Sequence, residues 1–524
     1  MSPSQTTADK QNDSNKLLDL SSFLAPTKIP FNLLIRGSTG RERWNSKGHI
    51  ERVDASAVGL PSDLSRILSY EPRLVSIINR LPDAYLKTSD QFYEVDGEIA
   101  DLTRKRHVPD DQTRWKNWAL IVTYRSIPWK YLEHLSDDPT LAFPHLKHTL
   151  EACPDGFPGL SNAAKIDLGL TLIESSRFSD MAWKRYAVNQ AKRVSVGIES
   201  QYLASRIALA ECVLNRIEGS MLRSAANLAT RSSEETAPDV RMHCIAGQYA
   251  IQRALNFMQV EELKSAEEVL EAWSPLSETP SPMEQAVNYR KTIIRGRSLR
   301  QRGELRDSIM QLNAGRLLKD EPDIVLDEDL RDLTCELADG LRDFKFTAAA
   351  ENVVRWEMER RKGSYIPAMG KSLLEVSLAE VAFARGQYYN SEMLCLSVLK
   401  EFPRLKYEKM RAYIILAKVY HTKRNFDQAH SYWTMALETI ARFTTGSSRV
   451  TRMILRSLCH SAGNDELREQ YQKQLERLGP EDEADAVKFW ISGMPEWNKY
   501  LQARESEAVE SEAVESEAVE SEAK

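Results

Sequence analysis

The chain has 524 residues, 42% hydrophobic and 28% charged, with a formal net charge of −6. This supplies enough apolar material for a large core, but the longest apolar runs, such as Ala412–Ala417, fall far short of the roughly 18 residues of a membrane span. The charge is uneven: Glu505–Lys524 holds eight glutamates and one lysine, so the tail carries −7 and the body is near +1. No global field therefore points to nucleic acid or to an anionic membrane as partner.

The first 18 residues are polar (MSPSQTTADKQNDSNK and onward) and lack the basic and apolar regions of a secretory signal. They are expected to be disordered. Residues 19–115 read as an irregular, partly helical region: the apolar run Phe31–Ile35 alternates with turn signals at Gly37, Gly40, Gly48 and Gly59-Leu60-Pro61, with short helices expected around 62–81 and 94–106. From Asp111 onward the period is helical and alanine, leucine, glutamate and arginine dominate. Residues 116–160 are expected to form capping helices, with Trp115, Trp118 and Trp129 covering the first apolar face of the helical region beyond them. The six cysteines (153, 212, 244, 335, 395 and 459) are scattered, with no Cys-x-x-Cys. That pattern suits small buried hydrophobes in a reducing interior, so an intracellular protein, cytoplasmic or nuclear, is expected.

Self-similarity organises residues 161–478. In 410–443 a first helix presents Tyr413, Leu416, Ala417 and Tyr420, a turn follows at Lys423-Arg424-Asn425, and a second helix presents Phe426, Ala429, Trp433 and Ala436. Small residues let the two helices approach, and large ones fill the space between them. This unit resembles the tetratricopeptide repeat, whose pattern is large-x-x-Leu-Gly/Ala-x-x-Tyr followed by Ala-x-x-x-aromatic-x-x-Ala. Residues 372–405 share the frame through Leu378, Ala379, Gly386, Tyr388, Val398 and Pro403, and depart from it at Glu375, Ala382 and Ser391. Residues 289–322 keep Gly296, Leu299, Gly303, Leu305 and Leu312, and residues 162–195 keep Leu168, Gly169, Leu172, Phe178 and Val188. Further pairs centre on Glu218-Gly219, Glu261-Glu262 and Lys345-Phe346. The resemblance implies an all-α, right-handed solenoid of helix-turn-helix repeats. After it, residues 479–504 read as a C-terminal capping helix with Phe489, Trp490, Met494 and Trp497. Residues 505–524, SEAVE three times and then SEAK, read as a disordered acidic tail.

Signals for chemistry are weak. Gly37-Ser-Thr-Gly40-Arg41 lacks the spacing and lysine of a phosphate-binding loop and reads as a surface turn. His145 and His148 share a helical face without further local ligands, and His421 and His430 are similar. The acidic clusters Asp110-Asp111, Asp137-Asp138 and Asp327-Glu328-Asp329 lack the DDxxD form of all-helical terpene cyclases; acids at helix starts stabilise the N-terminal dipole. No catalytic residue, metal ligand or cofactor is expected.

In the tetratricopeptide frame, positions 2, 5, 9 and 12 of the first helix line the concave groove. They are Arg290, Ile293, Arg297 and Arg300 in one unit, and Arg411, Ile414, Lys418 and His421 in another. The resemblance thus implies a basic groove with an apolar floor, suited to an acidic or carboxylate-bearing peptide; solubility alone is the plainer role for such residues. The paired clamp of chaperone-binding repeats is not visible, because Val376 and Glu380 hold its positions. The acidic tail could itself fold back onto the groove, or serve only solubility. The function expected is a non-catalytic protein-binding scaffold or adaptor. The alternatives are a regulatory subunit that assembles through its convex surface, or an all-helical enzyme with an unrecognised site.

Overall fold

The computed structural model describes residues 3–89, 91–178, 180–218, 224, 239–317, 324–401, 406–441, 448–479, 487–504 and 506. The N-terminal region opens with helix α1 (Pro3–Ser22), in place of the disorder expected over residues 1–18. Its C-terminal part buries Leu17 and Leu20, three residues apart, and Leu24 just past its end is buried with them. Asp13 on the same helix pairs with Arg66 and Arg73. The helices of this region are α2 (Phe31–Ser38), α3 (Ser62–Leu68), α4 (Glu71–Ile78) and α5 (Gly97–Arg106). Between them run five short strands that the sequence pattern does not announce. Strands β1 (Ile29–Pro30), β4 (Leu86–Ser89) and β5 (Phe92–Val95) form an antiparallel sheet in the order β1-β5-β4, and β2 (Arg41–Trp44) pairs with β3 (Ile50–Val53) in register Arg41 to Val53. Gly37 lies inside α2, where an added Cβ would fall 2.0 Å from the Val122 carbonyl oxygen. It is a close-packing residue of a helix crossing and not a surface turn.

Helix α6 (Pro109–Arg125) and helix α7 (Phe143–Ala152) lead into paired helices. These are α8 (Asn162–Ser175) with α9 (Met181–Ser195), α10 (Gln201–Ile217), α11 (Val240–Gln259) with α12 (Leu263–Glu271), and α13 (Pro282–Arg302) with α14 (Leu305–Leu317). They continue as α15 (Asp327–Asp343) with α16 (Thr347–Arg360), α17 (Ala368–Ala384) with α18 (Tyr388–Glu401), α19 (Lys406–Thr422) with α20 (Phe426–Ile440), and α21 (Ser448–Ser461) with α22 (Asp465–Glu476). A last helix, α23, covers 494–504. Local signals set the boundaries. Ser281 and Glu284 form a reciprocal capping box at the start of α13 with Pro282 beside it, and Asp96, Ser161 and Asp180 cap α5, α8 and α9 through side-chain oxygens. Gly303 in the left-handed conformation ends α13.

The pairs repeat one device. At five of the turns the chain passes through a left-handed residue: Glu261 (φ 65°), Gly303 (φ 90°), Lys345 (φ 73°), Gly386 (φ 72°) and Arg424 (φ 58°), spaced 38 to 42 residues apart. The next amide bonds back to the carbonyl five residues earlier, as in Glu304 N to Leu299 O (2.9 Å), Gln387 N to Ala382 O (2.9 Å) and Asn425 N to Tyr420 O (2.9 Å). Seven residues before the turn stands a small buried residue (Ala254, Gly296, Ala338, Ala379, Ala417), and five after it another (Ala266, Ser308, Ala350, Ser391, Ala429). The serines use their hydroxyls to bond across the pair, Ser308 to the Gly296 carbonyl (2.7 Å) and Ser391 to the Ala379 carbonyl (2.9 Å). Ser391 therefore meets the frame from which its residue type suggests a departure. In the last such pair Leu416, Trp433 and Ala436 are fully buried. The array is an all-α solenoid of tetratricopeptide-like pairs whose period exceeds the roughly 34 residues of the repeat it resembles. Pro403, Gly219 and all of the tail 505–524 except Ser506 lie outside the described residues.

Candidate functional site

The first helices of successive pairs, α8, α10, α11, α13, α15, α17 and α19, pack on one another in series and form the inner wall. On that wall α15 carries Asp329, Asp332, Glu336, Asp339 and Asp343, spaced three and four residues apart and so on one face. The neighbouring α13 presents Arg290, Arg297 and Arg300 to it. Arg290 bonds Asp332 (2.7 Å) and Asp329 (3.1 Å), Arg297 pairs with Glu336 (2.7 Å), and Arg300 pairs with Asp343 (3.2 Å) and Glu336 (3.6 Å). From α19, Arg411 bonds Asp339 at 3.0 Å and stands 3.8 Å from Glu380 of α17.

The groove expected to be basic is thus a ladder of alternating sign. Arg300, Arg411 and Lys418 are buried, while Arg290 and Arg297 stay part-exposed. The two units that suggest a basic face are separated by two others, and the acids of α15, in the first of these, neutralise it. Asp327, Glu328 and Asp329 have the positions of helix-dipole acids, but Asp329 is a deeply buried member of the ladder. Burial works against its charge, yet Lys130 and Arg290 hold its pKa below the usual carboxylate range. Burial pushes Lys418 down to about 8, partly offset by Glu380, and raises Glu380 in turn.

Both ends of the ladder are covered by the chain itself. At the Asp329 end, residues 130–138 cross from the N-terminal region. Lys130 pairs with Asp329 (2.9 Å), the Tyr131 hydroxyl donates to the same carboxylate, the Tyr131 carbonyl accepts from Val325 N (2.8 Å) and His134 meets Asp327 (2.8 Å). Behind this crossing Trp129 donates to Thr171 of α8 (3.0 Å) under the Arg43 guanidinium. Trp115 and Trp118 pack edge to face, with Trp115 against His107. Asp167 of α8 receives Arg43 (2.5 Å) and Arg125 (3.3 Å), tying the β2–β3 hairpin to the array.

At the Asp343 end lies the segment expected to be a terminal cap. Residues 487–504 instead run back along the inner wall. Lys488 N donates to Gln301 O (2.7 Å) and Arg300 donates to Phe489 O (3.1 Å). Asp343 accepts from the Ser492 hydroxyl and from Gly493 N (both 2.8 Å), and Glu496 pairs with Arg342 (3.0 Å) and Lys345. Trp497 sits among Phe383, His421, Trp433 and Tyr500 and donates to Ser457 (2.9 Å). His421 Nδ1 accepts from Trp433 (3.4 Å), which leaves Nε2 to donate to His460 (2.8 Å). Burial, with His460 and Arg504 nearby, takes the His421 pKa down to about 3.

The remaining candidates have structural duties. His145 is buried and its Nε2 donates to the Lys28 carbonyl (3.0 Å), and His430 faces the Tyr471 hydroxyl (3.2 Å). Among the described residues no group of three or more His, Cys, Asp or Glu side chains is placed to hold a metal ion, and no helix is long and apolar enough to cross a membrane.

No family model matches the chain, and no curated protein matches it. Similar solved structures include a Rap protein complexed with competence and sporulation factor, at 13% identity over 60% of this chain and 87% of that one, with a TM-score of 0.43. A signal-transduction ATPase with a tetratricopeptide repeat sensor from Pyrococcus horikoshii matches at 12% identity over 89% of this chain and 56% of that one (TM-score 0.34). The tetratricopeptide domain of P58(IPK) matches at 13% identity over 65% and 95% (TM-score 0.18).

Proposed function

We propose that the protein is a non-catalytic scaffold that binds other proteins on the inner wall of its helical array. The observation that supports this is the wall's present occupant. One protein segment, 487–501, is held there by main-chain hydrogen bonds, an ion pair from Glu496 and an aromatic nest around Trp497. These are the elements by which peptide-binding grooves obtain affinity and specificity. The ladder of paired charges gives the wall register, because each acid of α15 meets a defined guanidinium. The partner class is a protein or an acidic peptide.

A second reading has its own observation. On the outer face of α18, Tyr389, Met393 and Leu396 are exposed at 71%, 50% and 38%, a stripe at helical spacing that suits assembly into a larger complex. Partner capture from cells with two variants separates the two. Loss of a partner with Arg297→Glu and its retention with Met393→Asp supports the inner wall. The reverse pattern assigns binding to the outer face.

A further inference from the structure

We propose that Val487–Leu501 is a displaceable occupant of the inner wall, holding the place of a partner segment that carries a carboxylate and an aromatic ring at the positions of Glu496 and Trp497. This rests on the scaffold reading above and names the chemistry of its partner.

Charge supports the carboxylate. At this end of the wall six cations, Arg297, Arg300, Arg342, Lys345, Arg411 and Lys418, stand against four carboxylates, Glu336, Asp339, Asp343 and Glu380. Glu496 brings the fifth, and it does so by pairing with both Arg342 and Lys345. A segment without an acid there would leave a buried guanidinium short of a partner. Packing supports the ring, since Trp497 is 4% exposed and lies against aromatic side chains of α17, α19 and α20.

The misfit supports displacement. Buried polar groups in a permanent core are almost always hydrogen-bonded. Beneath this segment several lack a partner within the chain: the Lys418 ammonium, fully buried and 6.0 Å from the Trp497 ring, bonds no protein atom, and neither do the two carboxylate oxygens of Glu380 or the Nε atoms of Arg300 and Arg342. Asn498 on the segment leaves its side-chain oxygen unbonded as well. The resident segment bonds Arg300, Asp343, Arg342 and Lys345 of the charged floor and leaves Lys418 and Glu380 without a hydrogen bond to it. An incoming segment with an added polar group over Lys418 makes bonds that the resident one lacks. The resident segment is joined to Gly479 through only seven residues, 480–486. Such a tether gives it an effective concentration of order millimolar, so displacement requires a partner that binds better than the segment itself.

The test uses the full chain and a fluorescent synthetic peptide of residues 487–504. Glu496→Lys in the chain sets a cation against Arg342 and Lys345 and weakens the resident segment. The peptide is expected to bind this variant at least tenfold more tightly than the unaltered chain, and a peptide carrying the same Glu496→Lys change is expected not to bind. Equal binding to both chains, or binding to neither, overturns the proposal. Hydrogen exchange on the unaltered protein decides independently of whether the variant folds. Amides of 494–504 that exchange through an opening faster than those of α19 and α20 support displacement; amides that exchange only with those helices make the segment permanent core. That last result removes this inference alone, since the scaffold reading is judged by partner capture with the Arg297 and Met393 variants.

Discussion

Replacing Arg411 with methionine distinguishes a charged ladder from a solvent-facing basic groove. The side chain is 3% exposed, bonds Asp339 at 3.0 Å and stands 3.8 Å from Glu380, and these carboxylates are themselves 5% and 1% exposed. Methionine keeps most of the volume and removes the charge, which strands two buried carboxylates. Breaking a buried pair by removing one partner costs about 3–5 kcal/mol, whereas neutralising an exposed cation changes stability by about 0.5 kcal/mol or less. Burial already holds the Glu380 pKa above its ordinary value, despite Lys418 and Arg411 nearby. Without Arg411 it rises further, so the folded variant binds more protons than its unfolded chain. A raised carboxylate weakens the fold at pH values above its unfolded pKa of about 4.3, so the destabilisation is full near pH 8 and eases toward pH 5. Because repeat arrays need not unfold as one unit, the assay is chemical denaturation by circular dichroism together with native-state hydrogen exchange across α15, α17 and α19. A loss below about 1 kcal/mol, the same at pH 8 and pH 5, would refute the ladder.

Three further outcomes are expected. His421 is fully buried with its pKa near 3, so it contributes stability above its unfolded value of about 6.5 that is lost as pH falls; at pH 5 the loss is about 2 kcal/mol, and His421→Gln should remove that part of the acid slope in unfolding titrations. Arg424→Gly relieves a left-handed residue at φ 58° and should stabilise the α19–α20 turn by about 0.5–1 kcal/mol, while Gly386→Ala at φ 72°, with open space around it, should cost about 1 kcal/mol through backbone strain alone; melting of both variants checks the shared turn. Gly37→Ala should destabilise the N-terminal region by about 1–3 kcal/mol, since its Cβ meets the α6 backbone, and hydrogen exchange of α2 and α6 should rise while α19 and α20 are unchanged.

The legible part of the fold is the part set by steric demand. Ala417 and Ala429 are small because two helix axes converge there, and that demand marks the pair without any knowledge of its neighbours. The turns at Glu261, Lys345 and Arg424 are legible only through the helices that flank them, because a non-glycine residue occupies the left-handed position that Gly303 and Gly386 advertise. The acidic stripe of α15 is present in the sequence as a three-and-four spacing from Asp329 to Asp343. Its meaning depends on Arg290 and Arg297, one unit before it, and on Arg411, two units after it, which become adjacent only in the folded array. The strands β2 and β3 escape notice because RERW and IERV lack the apolar alternation of a strand. Arg43 and Arg41 are drawn inward by carboxylates more than 90 residues away, Asp167 and Glu133. Trp497 has the sequence context of an apolar cap, and nothing local to it shows that its nest lies on α19 and α20.

The two self-contacts define the part of the wall on which a partner must act. Residues 130–138 cover the ladder at Asp329, and 487–501 cover it at Asp343. Between them Arg290 and Arg297 retain side-chain exposures of 25% and 29%. Arg216 of α10 lies behind them, its pKa pushed down to about 10 by burial and by those two guanidiniums. Asp332 and Glu336 offset part of this charge, and Gln252 accepts from Arg216 through a neutral oxygen (3.3 Å). A segment longer than the resident one, entering over Glu496 and continuing toward Arg297, therefore meets two part-exposed guanidiniums whose charge Asp329, Asp332 and Glu336 already share. A second carboxylate placed there does not compete for the Trp497 nest, so its contribution and that of the ring are separable in a double-mutant cycle. Such a partner must bind more tightly than the resident segment, which is the condition that displacement from a tethered site imposes.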